Sequence, residues 1–415
     1  MKTSAFDLRI RPLEPDDVPA WAVTNYNAYP SFYPHLEPMH DELRRVLALP
    51  GRTAYGAFDG DTLVGSYLLY DFEMNVTGRL VSCGGIGLVA VALDRRKQGI
   101  ARGLIQHGLQ RMRETQTPVS MLYPFRTDFY QRLGWGSVVE VREHQFKPSS
   151  MPAFPEASAV RKARESDRAG IMACYATFLR TRPCVIHRTA ADWTSFFGHQ
   201  SRLFCVEGET GIEGYLSLAF HRDERYSERL ANRLVVTESV YTTPHALRAI
   251  VGFLASLADQ VTRIRWFAPR DERLELFLTD PSNDERDELW RLYRVAYRVG
   301  VGLMLRVVDV RQALVRRGSY NGVPLCIRWR IDDSQIPENA VPFTTTIAGD
   351  QVTFAGDPEL EVSTDISTFS QLYGGALSLS EAIWAQKATC SEPDAVSRFD
   401  AAFRTARGPF CLTFF

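Results

Sequence analysis

Several things are scarce in this chain, and each scarcity removes a class of function. No stretch of its 415 residues is apolar for long enough to span a bilayer. The opening residues, MKTSAFDLRIRPLEPDD, hold no apolar signal core and run straight into a strand pattern. A cytoplasmic protein with no membrane span is therefore expected. An excess of one charge is missing too. The formal net charge is −1, so the balance does not suggest a nucleic-acid partner. Cysteine is sparse and shows no pairing pattern. Cys83, Cys174, Cys184, Cys205, Cys326, Cys390 and Cys411 are odd in number and include no C-x-x-C, which favours neither a disulfide frame nor a zinc site. The eight histidines show no H-x-x-x-H spacing, and no metal is expected. What remains is an ordinary globular composition, 45% hydrophobic and 23% charged, with length for roughly two to four domains.

One stretch says most about function. Gly87 to Ala101 reads GLVAVALDRRKQGIA. Leu88 to Leu93 is a hydrophobic strand, Asp94 to Gly99 a cationic turn, and Ile100 to about Thr115 has helical periodicity. A strand that feeds a glycine-containing turn and then a helix builds an anion site, because unpaired N–H groups and the positive dipole end face the ligand. Gly99 lets the backbone approach a phosphate, and Arg95, Arg96 and Lys97 add positive charge beside it. The pattern Arg96-x-x-Gly99-x-Ala101 resembles the Q/R-x-x-G-x-G/A pyrophosphate loop of the GCN5-related N-acetyltransferase (GNAT) superfamily, which binds acetyl-CoA. The hexapeptide alone is a weak signal. The strand before it and the amphipathic helix after it supply the context. The competing description is a solvated basic turn in an ordinary α/β fold.

The remaining pattern is that of a mixed α/β chain with an echo in it. Leu8 to Leu13 alternates as a strand, and Glu14-Pro15-Asp16-Asp17 starts a helix through Trp21 and Tyr26. Tyr29-Pro30-Ser31-Phe32-Tyr33-Pro34 is aromatic and proline-broken, suited to a pocket wall or a packed loop. Arg52–Phe58 and Thr62–Asp71 flank the hairpin signal Asp59-Gly60. Val119–Tyr123 is the next strand, Pro124–Gly136 holds a short helix closed by Gly134, and Val138–Phe146 reads as a final strand. A Pro/Ser-rich linker follows at Lys147–Pro152. Val160–Asp167 then repeats the strand-and-acidic-turn of Arg9–Asp17, which suggests an internal duplication. In that second region, Thr242-Thr243-Pro244-His245-Ala246 stands where the phosphate loop would be, without its Arg or Gly. A third region begins near Gly302–Val310 and closes on a strand at Pro409–Phe415.

The order of these pieces resembles the enhanced intracellular survival (Eis) family of N-acetyltransferases. Four segments carry the likeness over essentially the whole chain: GLVAVALDRRKQGIA, DFYQRLGWG, LRVVDVRQAL at Leu305–Leu314, and the tail FDAAFRTARGPFCLTFF. The resemblance implies an α/β (α+β) fold with two tandem GNAT-like mixed-sheet domains and a sterol-carrier-protein-like α+β domain. Residues 1–150 would bind acetyl-CoA, 151–298 would form a GNAT-like domain without a cofactor, and 299–415 would supply the C-terminal carboxylate. It implies direct acetyl transfer from acetyl-CoA to a primary amine of the aminoglycoside, polyamine or lysine type, and a hexameric assembly.

The same resemblance assigns roles. Tyr130 would be the general acid that protonates the departing CoA thiolate, and the α-carboxylate of Phe415 the general base that deprotonates the amine. Backbone N–H groups of Val89 and Val91 would polarise the thioester carbonyl. The cofactor contacts would be Val89, Ala90, Val91, Arg96, Lys97, Gln98, Gly99, Ile100, Ala101 and Arg102, with Phe125 and Arg126 beside the pantetheine arm. Glu73, a strand acid, is a rival base. Tyr130 also fits a core aromatic among Phe125, Phe129 and Trp135, and the apolar tail Cys411–Phe415 also fits a terminal edge strand. There are departures as well. Aminoglycoside-acetylating relatives have acids where this chain has Phe414 and Ser31-Phe32-Tyr33. Asp71, Glu73 and Asp128 are the candidates to restore that charge. The alternative class is an apolar-ligand-binding or interaction protein derived from an acetyltransferase.

Overall fold

The computed structural model describes residues 8–31, 35–199, 202–225, 231–282 and 295–415. Phe32–Pro34 of the aromatic stretch lie outside them. The chain opens with β1 (Arg9–Pro12), α1 (Val18–Ala28) and α2 (Glu37–Ala48). An antiparallel meander follows, β2 (Arg52–Asp59), β3 (Thr62–Val76) and β4 (Arg79–Val91). Gly60, at φ 60°, supplies the left-handed residue that the β2–β3 turn needs. Then come α3 (Ile100–Glu114), β5 (Val119–Leu122), α4 (Thr127–Gln131) and β6 (Gly136–Ser137).

The expected strand at Val138–Phe146 is divided. Only β7 (Glu140–Phe146) is a strand there, and it pairs in a second sheet. That sheet continues with β8 (Val160–Lys162), α5 (Arg168–Thr181), α6 (Ala190–His199), β9 (Leu203–Gly208), β10 (Gly211–Arg222), β11 (Asn232–Tyr241), α7 (Pro244–Ala255), β12 (Val261–Pro269) and β13 (Tyr297–Val301). Its strand order is β13-β7-β12-β11-β10-β9-β8. The third region, expected to begin near Gly302–Val310, opens on a short strand that ends before Asp309, which caps a helix by accepting from the Gln312 N–H. The strand, β14 (Met304–Val307), enters the first sheet between β5 and β6, giving the order β1-β2-β3-β4-β5-β14-β6.

The third sheet is built from α8 (Val310–Arg316), β15 (Leu325–Asp332), β16 (Phe343–Ala348), β17 (Gln351–Thr353), β18 (Leu360–Asp365), α9 (Ile366–Gly374), α10 (Leu379–Trp384), β19 (Ala388–Cys390) and α11 (Val396–Phe403), with the strands ordered β17-β16-β15-β18-β19. Its core is solid with aromatic side chains. Trp329 meets Phe369 at 5.2 Å, and Phe399 stacks on Phe403 at 4.4 Å. No strand forms at Pro409–Phe415. The chain divides into two compact units. The first holds residues up to Val138 together with Leu303–Arg404 and Phe414–Phe415. The second holds Val139–Gly302 and Thr405–Thr413. Among the described residues no helix is long and apolar enough to cross a membrane.

The first sheet carries helices on both faces. One face packs Leu13, Trp21, Met39, Leu43, Leu68 and Tyr70 with α1 and α2. The other packs Tyr67, Leu69, Leu104, Ile105, Leu109, Met112 and Tyr130 with α3 and α4. The alternation of Leu68/Tyr70 against Tyr67/Leu69 along β3 is what assigns the two faces. The echo seen in sequence extends to side chains. Arg11 grips Asp17 at 2.6 and 2.9 Å, and Arg161 grips Asp167 at 2.7 and 2.9 Å. Each aspartate also accepts the backbone N–H three residues before it, from Glu14 at 2.8 Å and Arg164 at 2.7 Å.

Candidate active site

The site begins where two parallel strands part. β4 pairs with β5 only from Cys83–Val119 to Ile86–Leu122. Beyond Ile86, residues Gly87 to Val91 continue along β3 alone. The β5 side of that stretch therefore presents backbone groups that no strand pairs. Opposite β3, Leu68 pairs with Gly87 but Ser66 pairs with Ala90, so β4 carries a bulge there, with Leu88 at φ 47°.

The turn after β4 has the geometry of an anion cradle. Lys97 (φ 64°) and Gly99 (φ 88°) are left-handed, and Gly99 is the N-cap of α3. No side chain caps this helix, so the first N–H groups, those of Ile100, Ala101 and Arg102, point out of its end unpartnered by the helix. Arg95 is engaged by Asp59 at 3.1 Å. Arg96, Lys97, Gln98, Gly99 and Arg102 are exposed. Ile100 is buried and anchors the turn to the α3-side core. Free N–H donors with free cations beside them fit a pyrophosphate.

Tyr130 sits on the α3/α4 side. Its backbone carbonyl accepts from both Leu133 (3.0 Å) and Trp135 (3.1 Å), which closes α4 into a tight turn through Gly134 at φ 97°. Phe125 and Phe129 meet its ring edge-on at 5.6 and 5.0 Å. The ring is buried, and burial first, then the Tyr29 phenol, raises the pKa above that of an ordinary tyrosine. The phenol therefore keeps its proton at neutral pH. Phe125 itself is 59% exposed. Arg126 is held by Asp128 at 2.6 Å, and Arg132 reaches the same carboxylate at 3.1 Å. Asp128 is thus neutralised twice over.

Phe415 packs on the opposite face, against the α1/α2 core. Its ring meets Phe72 at 4.9 Å, Tyr123 at 5.3 Å and Tyr70 at 5.5 Å. Two glycines make room. A methyl group at Gly85 would strike the Phe72 ring, and one at Gly87 would lie 3.5 Å from the Phe415 carboxyl carbon. The carboxyl group thus lies beside the freed part of β4. Tyr70, Phe72, Tyr123, Gly85 and Gly87 were not singled out from sequence. The available signal was the pair of glycines two apart in a strand, which marks a close approach. Tyr70 and Phe72 share the Phe415 face, so alternation turns Asp71 and Glu73 to the other face. Phe414 is 77% exposed and meets Tyr123 at 5.3 Å.

Comparisons with known proteins agree with this geometry. Residues 9–138 match the family model described as an acetyltransferase (GNAT) domain, 184–307 match a second acetyltransferase (GNAT) domain model, and 310–412 match a sterol carrier protein domain. The N-acetyltransferase Eis of Mycobacterium tuberculosis is 24% identical over 371 residues, 84% of this chain and 85% of that protein. The chain is an acetyltransferase of the GNAT/Eis type. It has the tandem GNAT and sterol-carrier-like architecture that the sheets display. The fold is also that of a GCN5-related N-acetyltransferase from Anabaena variabilis, with TM-score 0.83, 18% identity, and coverage of 98% of this chain and 100% of that one. Eis1 from Mycobacterium abscessus superposes with TM-score 0.78 at 22% identity, covering 98% and 100%.

Proposed function

We propose that this Eis-family enzyme transfers acetyl directly from acetyl-CoA to a primary amine, with Tyr130 as general acid and the Phe415 carboxylate as general base. The observation that carries the reading is the arrangement around the parted strands. Tyr130 belongs to the α3/α4 side and Phe415 to the α1/α2 side, with the stretch Gly87–Val91, which β5 does not pair, between. A thioester lying along that stretch would meet a proton donor on one side and a base on the other. The base takes the ammonium proton, the amine nitrogen attacks the thioester carbon, the C–S bond breaks as Tyr130 protonates the sulfur, and the second proton lost by the nitrogen restores the Tyr130 phenol. Val89 and Val91 N–H groups would stabilise the oxyanion. The uncapped α3 N-terminus with Arg96, Lys97, Gln98, Gly99, Ile100, Ala101 and Arg102 would hold the pyrophosphate, and Val89–Val91 with Phe125 the pantetheine arm. Arg126 is tied to Asp128 and contributes less charge than its sequence suggests.

The acceptor side carries little negative charge. Asp128 is neutralised, and Asp71 and Glu73 face away from the Phe415 carboxylate. An amine with one cationic centre on an apolar body therefore suits this site better than a polycation. By family resemblance we read the enzyme as a cytoplasmic hexamer. The uncapped α3 end with the exposed Arg96, Lys97 and Arg102 beside it supports acetyl transfer over an apolar-ligand carrier. The test is to extend the chain by a single glycine after Phe415. Transfer to an amine panel should fall on the order of 10²-fold or more, while acetyl-CoA affinity stays within a factor of about two. A fully active extended enzyme would remove the terminus as base.

A further inference from the structure

One hydrogen bond at the parted strands remains without a role. The Tyr29 hydroxyl donates to the Val89 carbonyl at 2.9 Å. Tyr29 ends α1, where its own N–H donates to the Asn25 carbonyl at 2.9 Å. The side chain thus reaches from a fixed helix end to a strand 60 residues away in sequence.

The geometry of Val89 explains why a side chain is needed there. The Ala92 N–H donates to the Val64 carbonyl at 3.0 Å, and Ala90 pairs with Ser66 two residues earlier. Along an antiparallel ladder, alternate residues point the same way, so the Ala90 N–H faces β3. A trans peptide then turns the Val89 carbonyl away from β3, toward the side where β5 has already left. No strand supplies a donor to that oxygen, and the neighbouring Leu88 is strained at φ 47°. The peptide that sets the direction of the Val89 and Val91 donors is therefore held from outside the sheet.

We propose that Tyr29 is a positioning residue, whose hydroxyl fixes the Val89–Ala90 peptide so that the β4 donors stay aimed at the thioester. The inference rests on the acetyl-transfer reading above. The helix end, the bulge and the parting of β4 from β5 are all features of the first unit, and Tyr29 joins them.

The test compares wild type with Tyr29→Phe, which keeps the ring and removes only the hydroxyl. The turnover number should fall about tenfold with the amine panel, while the acetyl-CoA dissociation constant stays within threefold and the melting temperature is unchanged. Amide exchange at Val89–Val91, read by mass spectrometry on the free enzyme, should quicken at least fivefold. Wild-type turnover in the variant, or a loss shared equally by turnover, acetyl-CoA affinity and melting temperature, would overturn the inference. If wild type acetylates none of the amines, the acetyl-transfer reading fails instead. Unchanged amide exchange at Val89–Val91 in Tyr29→Phe then refutes the bracing role on its own.

Discussion

The two GNAT-like copies place different groups at matching stations. The Ala92 N–H donates to the Val64 carbonyl at 3.0 Å, and the Thr242 N–H donates to the Glu213 carbonyl at 2.9 Å, so Val64 and Glu213 are counterparts. At the first copy's station the side chain is buried valine, and the α3 N-terminus beyond it is uncapped. At the second, the Glu213 carboxylate accepts from the Thr243 hydroxyl at 2.7 Å and lies 3.3 Å from His245. Thr243 in turn accepts the Ala246 N–H at 3.1 Å, and Pro244 has no N–H to offer. One helix end is open to an external anion. The other has a carboxylate and a cap of its own. A second station repeats the contrast. Leu68 pairs with Gly87, and its counterpart Ser217 pairs with Glu238. Gly87 leaves room for the Phe415 carboxyl group. Glu238 fills the equivalent position and is gripped by Arg188 at 2.6 and 2.8 Å and by the Tyr215 hydroxyl at 2.6 Å. The fold is shared. The proposed acetyl-CoA site lies at the copy whose helix end no side chain caps.

The largest expected effect comes from giving the first copy's helix end a carboxylate, as the second copy has. Ala101→Glu adds a carboxylate within the first turn of α3. An acid there suits the helix dipole by about 0.3–1 kcal/mol, so the melting temperature should hold or rise. The same acid repels a pyrophosphate and competes for its donors. Calorimetric titration should show acetyl-CoA affinity weakened about 10²-fold or more, equivalent to ~2.7 kcal/mol. Unchanged affinity would mean that the pyrophosphate lies elsewhere and that the contrast between the helix ends is incidental.

These stations were legible in sequence to different degrees. The turn at Arg96-x-x-Gly99-x-Ala101 and the open helix end after it are legible because they use contiguous backbone, and the missing Arg and Gly near Thr243 are legible for the same reason. The duplication was visible through Arg9–Asp17 and Val160–Asp167, since a short strand followed by an acidic turn is local. Non-local pairing was not visible. Nothing in Glu140–Phe146 says that it pairs with Trp266 and its neighbours, and nothing in Met304–Val307 says that it pairs with Leu122. Both are short segments without an apolar alternation that would assign them to one sheet. The terminal strand was misjudged because Cys411–Phe415 is β-prone in composition yet meets side chains and not a ladder. Tyr29 lay inside a stretch marked only as aromatic, and its partner is a carbonyl, which composition does not show.

A middling effect tests the strand that the two sheets fill differently. Met304 pairs with Leu122 in the first sheet, and His144 pairs with Trp266 at the matching place in the second. His144 is fully buried, both ring nitrogens lack hydrogen-bond partners among the described residues, and its ring meets Tyr297 at 5.1 Å. Burial pushes its pKa down to about 4, with Glu275 opposing and Arg142 adding to the shift. The folded protein therefore refuses a proton that the unfolded chain accepts below about 6.5. Stability from this site is complete above that pH and is lost as pH falls toward 4. His144→Met copies the first sheet and removes the titration. Denaturant melts at pH 7 and pH 5 should show wild type losing about 1–2 kcal/mol more than the variant over that interval. Equal losses would assign the acid sensitivity to other groups.

The smallest effect isolates the cap. Thr243→Ala removes the acceptor for the Ala246 N–H and the donor to Glu213 while leaving the α7 core residues Ala246, Ala249 and Ile250 in place. The expected cost is about 1 kcal/mol in denaturant melts, the ordinary worth of an N-cap threonine. The binding outcome matters more than the stability. Freeing α7 in this way should yield no acetyl-CoA site at that helix, because the turn keeps Pro244 at its first position and no left-handed glycine precedes it. Acetyl-CoA should titrate to one site per chain in the variant as in wild type. A second site would show that the cap alone separates the copies. A single site would show that the turn must also be rebuilt, since an open helix end without an accessible backbone and flanking cations holds a pyrophosphate poorly.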